Sequence, residues 1–167
     1  LHAVPVLVIA AIYASSWALP AFVLFAYLLI WAARLDVRNG VVVPRDTVIR
    51  ATVVCGLLLA IPAWLGDDVM LLMRSIAAGL VLTVVMLGVH VAYPEGFDTD
   101  SVVYSPMVGL HLGWLGWAAL VTGIGLAIAG LGLAAIITMV ARRSAGHWLP
   151  FAPFLACGSL FAVVVYR

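Results

Sequence analysis

Seven acidic residues are spread over 167 positions, and where they fall decides which chemistry is open to the chain. Asp67 and Asp68 are adjacent. Asp36 and Asp46 flank one short polar stretch, and Glu95, Asp98 and Asp100 crowd another. Asp36 closes a long apolar run and Asp100 opens one, so two carboxylates at the ends of different helices could converge on one face of a membrane. Carboxyl groups held together repel, and one pKa rises until the pair shares a proton. Such a pair activates a water through one member and protonates a leaving group through the other, as in an aspartyl protease. Aspartates near helix ends also serve as solvated or capping groups, and spacing alone leaves both readings open.

Other reactive side chains offer less. Cys55 and Cys157 sit in separate apolar runs, where a cysteine reads as a small buried hydrophobe, and no CxxC pair supports a zinc or redox site. His90, His111 and His147 share no helix-face spacing and read as interfacial or hydrogen-bonded side chains.

Whatever positions the carboxylates is a membrane. Hydrophobic residues make up 66% of the chain and charged residues 9%, far from the mixture that covers a soluble domain. The basic residues are eight arginines with no lysine, and a net charge of +1 gives no footing for nucleic acid. About 20 apolar residues cross a bilayer. Charged clusters divide the sequence into spans at about 8–33, with a kink expected at Pro20, then 47–65, 70–92, 102–114, 117–140 and 149–166. The stretch from Val4 to Ala33 exceeds a signal-peptide core and reads as a crossing. The apolar run 102–141 is too long for one helix, and Gly113-Trp114-Leu115-Gly116-Trp117 is where it should turn. The expectation is an all-α bundle of six transmembrane helices forming one domain over 1–167; five crossings remain if 102–116 only re-enters the membrane.

Arg34, Arg38, Arg45 and Arg50 gather around the first loop, and Arg142 and Arg143 in the fifth. The positive-inside rule therefore places the odd-numbered loops in the cytoplasm, with both termini outside and Arg167 a mild exception. Asp36 and Asp100 then share the cytoplasmic face. Arg142 and Arg143 read as topology determinants able to meet acidic headgroups. Gly109 and Gly113 form a GxxxG pair, and Gly123, Gly125, Gly130 and Gly132 mark the fifth span as a close packer. Trp114, Trp117 and Trp148 suit the membrane interface.

The stretch "LPFAPFLACGSL" at 149–160 resembles the final helix of the prepilin peptidase family, which reads Pro-Phe-Gly-Pro-Phe-Leu. Pro150, Phe151, Pro153, Phe154 and Leu155 match, with Ala152 in place of the glycine. Proline is tolerated in a helix's first turn, where its missing N–H costs nothing. "LDVRNGVVVPRDTVIRA" at 35–51 resembles the family's first active-site stretch through Asp36, Val37, Arg38, Val43 and Pro44, the proline falling one residue late. "EGFDTDSVVYSPMVGLHLGWLGW" at 95–117 is similar to the second stretch downstream, at Ser105-Pro106, Gly109, Leu112-Gly113 and Trp114. Upstream it departs: Ser101 stands at the aspartate position and Val103 at the basic one. Asp100 is one residue away, and Asp98 after Gly96-Phe97 is a second candidate.

Members of that family cut the leader from type IV pilin precursors and related secretion pseudopilins at the cytoplasmic face. The resemblance implies a multi-pass aspartic endopeptidase of a bacterial or archaeal cytoplasmic membrane, with prepilin or pseudopilin helices as partners. Asp36 and Asp100 would be its catalytic pair, Arg38 would hold the loop or the leader backbone, and Gly96 would permit the turn before the second aspartate. Water is the nucleophile, and no metal or organic cofactor is implied. Longer members add a cytoplasmic region with paired cysteines that methylates the product; this sequence has none, so cleavage without methylation is expected. The alternative is a catalytically degenerate relative that binds pilins or a secretion partner as a scaffold. A small transporter has little support, since no carboxylate lies in the middle of a span.

Overall fold

Turning apolar sequence into structure here means burying backbone amides, because lipid offers them no hydrogen bonds and every polar main-chain group must be met within the protein. The computed structural model does this with helices. It describes residues 3–13, 16–39, 43–66, 68–92, 99–142 and 151–166. Among these, seven helices follow in order: α1 Ala3–Ile12, α2 Leu19–Asn39, α3 Arg45–Leu65, α4 Val69–Ala92, α5 Thr99–Leu115, α6 Trp117–Arg142 and α7 Ala152–Val165. Four of them, α2, α3, α4 and α6, are long and apolar enough to cross a bilayer; α5 and α7 are shorter apolar helices. Only 17% of the spanning window of α6 and 22% of that of α3 is buried. Their apolar side chains therefore face outward, as a lipid solvent demands. Val53, Leu57 and Ile61 on α3 and Ile128, Ile136 and Ile137 on α6 are examples. The chain is an all-helical membrane protein.

The first crossing differs from its expected form. A single helix over 8–33 kinked at Pro20 is replaced by two helices, α1 and α2, with a break between them. Pro20 is the second residue of α2. A proline there removes only an N–H that a helix start leaves unpaired, whereas mid-helix it would remove a needed bond. Ser16 makes the break locally: its Oγ accepts the Ala18 N–H at 3.2 Å and its carbonyl accepts the Leu19 N–H at 3.0 Å.

Small residues set the closest contacts. Helices α4 and α5 pack antiparallel through Ser75, Ala78, Gly79, Gly109 and Gly113. A Cβ on Gly109 would lie 2.6 Å from the Gly79 Cα, and one on Gly113 would overlap the Ala78 Cβ. Ser75 Oγ donates to the Leu110 carbonyl across the same seam. On the other side α6 and α7 run antiparallel, Gly158 lying against Gly123 and Ala127, and Gly130 against the Phe154 ring. Of the four glycines expected to pack the fifth span, Gly123 and Gly130 do so; Gly125 and Gly132 face open space. Cys55 is buried as expected, whereas Cys157, on the outer face of α7, is exposed.

Two prolines inside helices have local compensation or a terminal position. Pro106 in α5 cannot donate to the Val102 carbonyl, and Ser105 Oγ fills that role at 2.6 Å. Pro153 lies in the first turn of α7, as its position in the sequence predicts. Pro150 is outside the described residues.

Candidate functional site

The helix directions bring specific ends together. Arg74, near the start of α4, reaches the end of α5; Thr122, near the start of α6, bonds Tyr166 at the end of α7. Ala152, at the start of α7, bonds Asp36 near the end of α2. One end of the bundle thus holds the last turns of α2, α4 and α6 and the first turns of α3, α5 and α7. Asp36 and the backbone of Asp100 both belong to that end, with Arg34, Arg45 and Arg50.

Asp36 is half-buried, and its Oδ2 accepts the Ala152 N–H at 3.1 Å. The first N–H groups of any helix have no internal partner. In α7 the next residue is Pro153, which has no N–H, so the carboxylate of α2 meets a donor exposed beside the proline. Its negative charge also faces the favourable pole of the helix. Ala152, Pro153 and the aspartate are therefore parts of one junction, and Asp36 performs the capping role that was its ordinary alternative.

Of the other residues singled out in the sequence, Asp100 lies in the first turn of α5 and Arg38 in the last turn of α2; their side chains are outside the described residues. Gly96 and Asp98 are outside them altogether, as are Arg143, His147 and Trp148. Among the described residues, no three His, Cys, Asp or Glu side chains gather as a metal site.

The far end of the bundle carries the turn expected within 113–117, together with an arginine contact that the sequence did not announce. The break between α5 and α6 is the single residue Gly116, with φ of 139°, a region that favours glycine. Its N–H still donates to the Leu112 carbonyl at 3.0 Å and its carbonyl accepts the Leu120 N–H at 3.2 Å. The last carbonyls of α5 lose their helical donors there. Arg74 supplies replacements: Nε–H donates to the Gly113 carbonyl at 2.9 Å and Nη2–H to the Trp114 carbonyl at 2.6 Å. A lone arginine five residues into an apolar span was the available signal, since a charge in a membrane helix needs a polar partner.

His111 is fully buried between α2 and α5. Its ring stacks on Phe25 at 4.1 Å and meets Phe22 edge-on at 5.4 Å. Nδ1 is 2.8 Å from the Met107 carbonyl and Nε2 3.2 Å from the Ala21 carbonyl. A neutral imidazole has one N–H and donates to one of the two; only the doubly protonated ring serves both. The reading of His111 as a hydrogen-bonded histidine holds, and the residue ties α5 to the start of α2.

Comparison of the chain with protein-family models, curated proteins and solved structures gives no match.

Proposed function

We propose that the chain is a membrane-embedded aspartyl endopeptidase, crossing a bacterial or archaeal cytoplasmic membrane six times and removing the leader of type IV pilin-like precursors at the cytoplasmic face. The observation that carries this reading is that Asp36 and the first turn of the Asp100 helix belong to one end of the bundle, the end also rich in arginine. The described part of the Pro-Phe motif adds support, because Ala152 beside Pro153 bonds Asp36. In the mechanism, one carboxylate takes a proton from water as it attacks the scissile carbonyl. The other, protonated, gives its proton to the departing amine, so the pair returns to its starting charge. Arg38 steadies the leader backbone and Gly96 shapes the loop before the second aspartate. The site opens to the cytoplasm, because hydrolysis needs water that the bilayer core excludes.

A second reading is a non-catalytic relative that binds pilins or a secretion partner. Two observations favour it: Asp36 already caps α7, and Ser101 and Val103 stand where the family has its second aspartate and a basic residue.

The deciding experiment incubates the protein in detergent with a prepilin and looks for the shortened product. Asp36→Asn retains a side-chain oxygen that accepts the Ala152 N–H, so the junction survives while the carboxylate is lost. The expected result is a folded protein whose melting temperature falls only modestly, by the loss of charge at the start of α7, with cleavage reduced by about 10²–10⁴-fold, and a similar loss of cleavage for Asp100→Asn. Loss in Asp98→Asn with normal Asp100→Asn would move the second role to Asp98. Full cleavage by both Asp36→Asn and Asp100→Asn would leave no dyad, and binding of prepilin without cleavage by the wild type would establish the scaffold.

A further inference from the structure

At the end of the bundle remote from Asp36, the starts of α4 and α6 enclose an open groove of about 570 Å³. Asp68, Arg74 and Trp117 line it with Met70, Leu71 and Met73. Three facts define what it can hold. The spanning segments of α4 and α6 begin at Val69 and Trp117, so the groove lies at a membrane surface. Arg74 is five residues below Val69, about 7.5 Å along the helix, which is near the boundary between headgroups and hydrocarbon. Finally, the groove carries both signs of charge. Nε and Nη2 of Arg74 are committed to α5, but Nη1 has no hydrogen-bond partner among the described residues, and Asp68 is exposed at the rim.

From this we infer that the groove is a selective site for a zwitterionic phospholipid, one whose headgroup joins a phosphate to a primary ammonium. The phosphate meets the free edge of the Arg74 guanidinium. The ammonium meets Asp68 and the face of Trp117, which is 47% exposed. Met70 and Met73, both exposed, with Leu71, offer an adaptable apolar wall to the upper acyl chain. An anionic glycerol headgroup shares the phosphate but brings no cation to Asp68. The charge pattern therefore favours phosphatidylethanolamine over phosphatidylglycerol. This inference is independent of the proteolytic reading.

The test reconstitutes the full chain in bilayers of equal phosphatidylethanolamine and phosphatidylglycerol with identical acyl chains, re-extracts it in mild detergent, and weighs the retained lipid by native mass spectrometry. The expected result is an enrichment of phosphatidylethanolamine of roughly two- to fivefold, the range that partly exposed ion pairs supply. Asp68→Ser keeps an oxygen for the Leu71 N–H, which Asp68 Oδ1 accepts at 3.3 Å, and removes the charge. It is expected to abolish the preference while lipid is still retained, and Arg74→Gln to lose retained lipid of both kinds. Equal retention by the wild type, or an unchanged preference in Asp68→Ser, overturns the proposal. Because Arg74 also holds α5, the serine variant decides the matter if the glutamine variant fails to fold.

Discussion

At the scale of single residues, the positions that matter most are those where a side chain replaces a missing main-chain partner. Asp36 does so for Ala152, Ser105 for the amide that Pro106 lacks, and Arg74 for the amides that α5 loses at Gly116. Arg74→Met removes two charged hydrogen bonds and leaves the Gly113 and Trp114 carbonyls without those donors. A charged hydrogen bond contributes about 1.5–3 kcal/mol, so a marked fall in thermal stability in detergent is expected. A melting temperature within a degree of the wild type would refute that role. The sequence made Asp36 conspicuous, because few acids border its apolar runs. It did not disclose the Ala152 partner, 116 residues away, since a capping bond between helices depends on which ends meet. Arg74 was visible as a lone charge in a span, but its targets were two carbonyls, and main-chain acceptors have no sequence signature.

At the scale of helices, stability rests on which glycines touch a neighbour. A methyl group on Gly158 would overlap the Gly123 carbonyl and lie 2.8 Å from the Ala127 nitrogen. Both obstacles are backbone, so Gly158→Ala must push α6 and α7 apart, at a cost of about 1–3 kcal/mol. Gly125→Ala and Gly132→Ala add their methyl groups to open space and are expected to be neutral or to stabilise by up to about 1 kcal/mol, through helix propensity. Chemical denaturation of the three variants side by side checks the contrast; equal effects would mean that composition, not contact, governs α6. The helices themselves were largely legible: 47–65, 70–92 and 117–140 lie within or close to α3, α4 and α6, because length and apolarity set those boundaries. The first crossing was not, because between Val4 and Ala33 only Ser15 and Ser16 break the apolar run, too little to mark a helix end. The break between α1 and α2 is made by Ser16 and by Pro20 opening a new helix, both of which also fit a kinked single span.

At the scale of the whole molecule, the arginine-rich end and the Arg74 end are opposite poles of the bundle, and the positive-inside rule assigns the first to the cytoplasm. Single cysteines introduced at positions 40 and 145, in a background with Cys55 and Cys157 replaced, are expected to react with an impermeant maleimide only after the inner face is opened. One at position 67 should react in intact cells, and the reverse pattern would invert both the orientation and the side on which any cleavage occurs. The two poles differ mechanically as well. A single glycine joins α5 to α6, while Arg74 and the glycine seam fasten α5 along α4, so α4 and α5 form one unit that meets α6 at Gly116. The 17 residues of α5 reach about 25 Å from it. A turn of that unit by about 10° against α6 would carry the Asp100 end of α5 some 4 Å by the same helix rise, while leaving Trp114 almost stationary. Under the proposed function, such a turn would admit a substrate helix at the arginine-rich pole without loosening the opposite one.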